Sequence, residues 1–425
     1  MKQNKIDKSI HEVKLLINYL KLITEETNEE ILYFEHLGLG SLHLNYEGAS
    51  RYRECLRNLV ENSVKDDDLS LKTVEGLFQE ALLEAFYLEE SSASIDLKIN
   101  DILEGLKQKL TAKRIPYCCY IPVCGINSEG LPLSMGKIKI AVFDDLLVDT
   151  FEARIVKHSI QREFKWIKTK EKIDSSFYKK IVGIVTVEAK DYNAAEVIAI
   201  KNLREVLDIL NFFSMLVPYN PDAWTYLSGD LEPYFFESII LNEDDTASFN
   251  IMSKRIGPLQ EINVLRIIES SKKDNIGFDY VINLLTKNNL NKFQQSLLTA
   301  IQWAGRAVVA NRREEAFLLY AIALESIILV DSPNSELSYR LRLRISHLIT
   351  SNLKNRNEVA NTVKELYNLR SKIVHDGKYE ISSLELDTIK YISISCIKRL
   401  CVDPLFRNMA SPKDFADWLE DRILS

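Results

Sequence analysis

Two residues near the C-terminus have types and spacing suited to chemistry on an anion. Arg370 and His375 close the segment Asn357 to His375, NEVANTVKELYNLRSKIVH. A guanidinium keeps its charge at any physiological pH and grips phosphate or carboxylate oxygens with paired N–H groups. An imidazole takes up and releases a proton near neutrality. Between them they could supply charge stabilisation and proton transfer.

Stepping outward, Val359, Val363, Leu366, Arg370 and Ile373 recur at spacings of 4, 3, 4 and 3, which predicts one apolar helical seam containing an arginine. A charge on such a seam is costly unless its head reaches water, a carboxylate or a phosphate. The simpler alternative is an arginine at the stripe's edge with its head in solvent. His375 follows by about 140° around the helix and roughly 7.5 Å along it. Asp376-Gly377 predicts the helix stop there, with Gly at the left-handed position. The helix dipole favours a protonated His375, which as a lone residue would be a structural cap.

A second helix is expected over Glu314 to Val330, with Leu318, Ile322, Glu325 and Leu329 on one stripe and Glu325 the sole charge between Ala316 and Val330. That carboxylate needs a partner, and Arg370 is the natural one. The pair would be structural, or would also orient a working arginine. Between the two helices, Ser335 to Thr350 alternates Arg340, Arg342 and Arg344 with Leu341, Leu343 and Ile345. The stripe Leu337, Leu341, Ile345, Leu348 favours a helix over a strand, its arginines either solvated or touching phosphates. Ser382 to Glu385 is a capping-box pattern opening a helix through Leu386, Ile389, Ile392, Cys396, Ile397 and Leu400, and Ser411-Pro412 opens a short one with Phe415, Trp418 and Leu419.

Leu366 to His375, preceded by Ala321-Ile322-Ala323-Leu324-Glu325, resembles the HEPN superfamily, in particular its ApeA-like group. The superfamily's signature is an arginine followed, after four to six residues, by a histidine, and Arg370 and His375 enclose four. Ser371 stands where many catalytic members carry Asn, Asp or His. Gly377 stands where members regulated by a nucleotidyltransferase carry Tyr. The resemblance implies a metal-independent endoribonuclease that pairs two bundles, each contributing an Arg-His set to one cleft. RNA supplies its own nucleophile, the 2′-hydroxyl. His375 would move the proton, Arg370 would hold the phosphate oxygens, Ser371 would add a hydrogen bond, and Glu325 would position Arg370. Arg340, Arg342, Arg344 and Lys372 are the expected RNA contacts. The resemblance further implies a sensor-effector in bacterial anti-phage defence, acting by abortive infection. The competing expectation is a non-catalytic dimerisation or RNA-binding scaffold with a partner-recognising N-terminal region.

The rest of the chain frames this bundle. At 425 residues it exceeds what one core usually organises. Its 46% hydrophobic and 27% charged residues fit a globular protein and not a disordered one. The expected class is α+β and multidomain: a helical N-terminal region (1–112), an α/β middle domain with a mostly antiparallel sheet (113–257), a helical connector (258–289), an all-α HEPN-type bundle (290–402) and a tail helix (403–425). The first region carries helical patterns near Ile10 to Thr24, Ala49 to Ser63, Leu71 to Glu90 and Ile95 to Leu110. Strand-like runs follow at Tyr117 to Val123, Lys137 to Phe143, Ile181 to Ala189, Tyr234 to Leu241 and Ala247 to Met252. Gly125 to Gly136 reads as a loop, and Ala194 to Phe213 as an amphipathic helix.

The net charge of −7 argues against a chain that coats nucleic acid indiscriminately, although Ser296 to Val402 holds 15 Lys and Arg against 11 Asp and Glu. No glycine-rich phosphate loop, dinucleotide turn or His-x-x-x-His pair is present, so no ATP, NAD, zinc or other cofactor is expected. Six cysteines without framework spacing are expected as buried reduced thiols. The absence of a signal core or long apolar run predicts a cytoplasmic protein without membrane contact. Expected partners are RNA, a second copy through the C-terminal bundle, and a phage-derived or host protein trigger at the N-terminal region.

Overall fold

The amphipathic runs of the N-terminal region form helices whose apolar stripes meet. The computed structural model describes residues 2–22, 32–36, 40–63, 69–86, 92–144, 180–218, 223–228, 230, 234–241, 249–329, 337–377 and 380–424. The expected element ends at Thr24, Glu90, Ala247, Val330 and Ser335 lie outside those residues. The chain divides into two compact units, Met1–Cys119 with Thr186–Lys201, and Tyr120–Val185 with Asn202–Ser425. Its layout is that of an α+β protein: helices predominate, and a small sheet of five strands lies among them.

In the first unit, α1 (Lys2–Leu22), α2 (Tyr46–Ser63), α3 (Leu71–Phe86) and α4 (Ser92–Leu110) enclose one core. Val13, Leu16, Ile17 and Leu20 of α1 are buried, as are Val74, Phe78, Leu82 and Ala85 of α3. Tyr52 stacks on Phe78 with ring centres 5.1 Å apart and accepts a hydrogen bond from Gln79 at 3.0 Å. An antiparallel pair of β1 (Leu32–His36) and β2 (Gly40–Leu44), not among the strand-like runs expected from the sequence, also belongs here.

The five-stranded sheet runs in the order β4-β5-β6-β3-β7, built from β3 (Ile115–Cys124), β4 (Leu133–Met135), β5 (Ile138–Val142), β6 (Ile181–Ala189) and β7 (Tyr226–Leu227). β5 lies antiparallel to β6, with Ile138 opposite Val185 and Val142 opposite Ile181. The expected loop Gly125 to Gly136 is corrected by β4, which pairs Leu133 with Ile140. A three-residue strand is too short to show a period of two. β8 (Tyr234–Leu241) and β9 (Phe249–Ile256) form a separate antiparallel hairpin.

The part of helix α5 (Tyr192–Ser214) from Asn202 onward and the helices after residue 263 complete the second unit: α6 (Val264–Asp274), α7 (Phe278–Thr286), α8 (Lys292–Val309), α9 (Arg313–Ile328), α10 (Leu337–Ile349), α11 (Leu353–Asp376), α12 (Ser383–Val402), α13 (Pro404–Arg407) and α14 (Pro412–Leu424). α9 is central. Packed against α8, α10, α11 and α12, it buries Phe317, Tyr320, Leu324 and Ile327, and it is apolar nearly all round for that reason. α5 and α8 approach so closely that a Cβ on Gly305 would stand 1.7 Å from the Asp208 carbonyl oxygen. Beside this contact, Asp208 takes a hydrogen bond from Arg306 at 3.0 Å. α14 closes one end through Phe415, which meets Phe293 and stacks on Trp418.

The expected burial of the cysteines needs correction. All six thiols are free, but only Cys55, Cys396 and Cys401 are buried, while Cys118, Cys119 and Cys124 on β3 are half-buried. Burial pushes the thiols of Cys396 and Cys401 up to about 12, which removes them as nucleophiles. No described helix is long and apolar enough to cross a membrane.

Candidate active site

The helix that carries Arg370 and His375 begins and ends where its local chemistry directs. Asn352 caps α11 by accepting from the Asn355 N–H at 3.2 Å, satisfying one of the open donors of the first turn. At the other end Gly377 adopts φ 65° and ψ −1°, and its N–H donates to the Ile373 carbonyl at 3.2 Å. This left-handed cap places His375 in the last helical turn. The seam is shallow: Val363 and Leu366 are buried, whereas Val359, Arg370 and Ile373 are half-buried. Arg370 therefore sits where the stripe meets the surface.

Its partner is the one charged residue of the apolar stretch of α9. Arg370 Nε lies 3.2 Å from Glu325 Oε1, with 28% of the arginine side chain and 22% of the glutamate exposed. The approach is electrostatic, because neither Nε nor Oε1, both shielded from solvent, makes an aligned hydrogen bond. The hydrogen bond runs instead from Nη2 to Oε2 at 3.5 Å, which is long. The guanidinium is thus held by charge while part of its donor capacity is unused. Tyr367, one turn back on α11, lies with its ring centre 5.8 Å from the guanidinium carbon. Burial, and then the Glu325 charge, push its phenol above the usual range. Tyr367 was not among the expected site residues, although its position three before Arg370 puts it on the same helix face.

His375 and Lys372 are exposed and Ser371 is half-buried. These residues lie on successive turns of one helix, so α11 positions all of them. The three arginines of α10 part company. Arg344 donates from Nη1 to the Ile328 carbonyl at 2.8 Å, closing the C-terminal turn of α9, which gives this expected RNA contact a structural role. Arg342 lies over the Tyr339 ring at 5.0 Å, and Arg340 is half-buried.

No protein-family model, curated protein or solved structure matches the chain.

One further histidine in the bundle has a different environment. Arg356 Nη1 approaches His347 Nδ1 at 3.1 Å, and the pKa of His347 is lowered by burial first and then by the charges of Arg356 and Arg422. A neutral imidazole accepting from arginine fits this geometry, which suits bracing of α10 against the start of α11. Among the described residues no group of three or more His, Cys, Asp or Glu side chains is placed to hold a metal ion.

Proposed function

We propose that the bundle from α8 to α12 is a HEPN-type ribonuclease domain that cuts RNA without a metal, using Arg370 and His375. The observation that carries this reading is the combination at the end of α11: an arginine held by Glu325 with Nε unbonded, followed by an exposed histidine in the last turn. His375 takes the proton from the 2′-hydroxyl or gives one to the departing 5′-oxygen. Arg370 turns its donors to the non-bridging phosphate oxygens as their charge grows. Glu325 holds Arg370 in place, Ser371 adds a hydrogen bond, and Lys372 with Arg340 and Arg342 receives flanking phosphates. The products are a 2′,3′-cyclic phosphate and a 5′-hydroxyl.

A pairing of two chains supports the geometry. On one helix the two side chains leave the axis about 140° apart, so a phosphate is more readily bracketed by sets from two copies. Exposed apolar side chains suited to such pairing lie on α11 and on the next helix, α12: Val374 at 50%, Leu384 at 75% and Tyr391 at 68%. The chain upstream would act as the sensor that restrains or releases cutting, in a role such as anti-phage defence.

The test compares wild type with Arg370→Ala and His375→Ala for RNA cleavage and end chemistry, with and without chelator. Cleavage insensitive to chelator and lost in both variants is the expected result. Folded variants that cut as well as wild type would overturn the proposal. Loss of pairing with no RNA cleavage by any form would favour a non-catalytic scaffold.

A further inference from the structure

Outside the Arg370 site, the second unit contains a cleft of about 610 Å³, within the usual range for small-molecule sites. It lies where the end of α8 and the start of α9 meet the first turns of α12 and the segment after α5. Its walls combine two features. Trp224 and Tyr320 supply aromatic surface, and the cations Arg312, Arg313 and Lys390 outnumber the one lining carboxylate, Asp387, three to one. Among the described residues, none of these three cations makes a hydrogen bond or ion pair through its side chain, so their charge is available to a ligand. The neighbouring Glu314 and Glu315 do not line the cleft. Tyr320 acts as wall and not as donor to a ligand, because its hydroxyl already points to the Met215 sulfur at 3.5 Å.

We infer that this cleft binds a small aromatic anion of mononucleotide size. Arg312, Arg313 and Lys390 take the phosphate, and Trp224 offers a face to the ring. Guanidinium and ammonium groups select the anionic end, ring stacking against an indole is indifferent to the identity of the base, and the small side chains between them leave room for a sugar. Tyr320 and Glu325 share helix α9, so the ligand would sit on the element that holds Arg370. The binding site itself does not depend on the ribonuclease reading.

The experiment is calorimetric titration of the purified full-length chain with AMP, adenosine and inorganic phosphate, alongside an Arg312→Ala/Lys390→Ala double variant. Both substituted residues lie outside the buried core, so the variant is expected to melt with wild type. AMP should bind with a Kd below about 1 mM. Adenosine, phosphate alone, and AMP with the double variant should each bind at least about tenfold more weakly. No AMP binding at about 1 mM, or equal binding by the double variant, would overturn the proposal. So would phosphate binding as tightly as AMP. A short single-stranded RNA titrated into His375→Ala serves as the other arm. RNA binding that the cleft substitutions abolish, with AMP silent, would assign the cleft to the RNA strand and remove the small ligand.

Discussion

Arg370 and Glu325, 45 positions apart in the chain, meet at 3.2 Å between Nε and Oε1 on two neighbouring helices, and those closest atoms share no aligned hydrogen bond. The contact therefore restrains the guanidinium without saturating it. The proposed role, in which Arg370 stays in place and donates to a substrate oxygen, calls for this combination.

The strength of the contact can be measured by a double-mutant cycle. Arg370→Ala, which leaves a half-buried carboxylate without its partner, should cost about 1–3 kcal/mol. The coupling with Glu325→Ala should be about 1 kcal/mol, since both side chains keep some access to water. Denaturant melts of the two single variants and the double variant give this value directly. A coupling below about 0.3 kcal/mol would show that the two groups contribute independently.

His375 is exposed, and among the described residues its side chain makes no hydrogen bond or ion pair. His375→Ala should leave stability within about 0.5 kcal/mol of wild type, and under the proposed ribonuclease function it should slow RNA cleavage by about 100-fold or more. Calorimetric melts and gel assays of labelled RNA separate the two effects. An equally stable variant that cuts at the wild-type rate removes His375 from the mechanism.

Gly305 and Gly76 are both helical glycines with opposite surroundings. A Cβ at Gly305 would stand 1.7 Å from the Asp208 carbonyl oxygen, and nothing lies within 4 Å of one at Gly76. Gly305→Ala should destabilise by about 3 kcal/mol as α5 and α8 are forced apart. Gly76→Ala should stabilise by about 0.5–1 kcal/mol through helix propensity. Equal effects of the two substitutions in thermal melts would refute the close approach.

Asp208 should give the stability of the second unit a pH signature. Burial raises its carboxyl from 3.8 to about 6, against the opposing pull of Arg306. A folded-state value above the unfolded one means that folding favours the protonated form. Its contribution is present below pH 3.8 and lost as pH rises towards about 6. Asp208→Asn lacks this titration, so its Tm should gain on wild type across that window. Parallel Tm profiles would show that Arg306 offsets the burial completely.

Much of the bundle was legible in local sequence. The Asn357 to His375 periodicity, the Gly377 stop and the Ser382-Glu385 capping box are each encoded within a few neighbouring residues; the helix extends the first back to Leu353, and the stop and the cap stand where their chemistry places them. The pairing of Arg370 with Glu325 was foreseeable too, because one isolated carboxylate and one isolated guanidinium lay on apolar stripes of the same bundle.

Other features required the folded chain. β4, at three residues, is too short to carry a period, and the half-buried state of the three cysteines of β3 is not written in their spacing. Arg344 looked identical to Arg340 and Arg342 along the chain, yet it is the one that reaches the Ile328 carbonyl. The cleft gathers Trp224, Arg312 and Lys390 from segments scattered over more than 160 residues. Sequence alone determined helix periods, caps and the chemical types at the site, because those depend on neighbours within a turn or two. Tertiary structure decided which charges meet a partner and which face open space, because that depends on how distant elements pack.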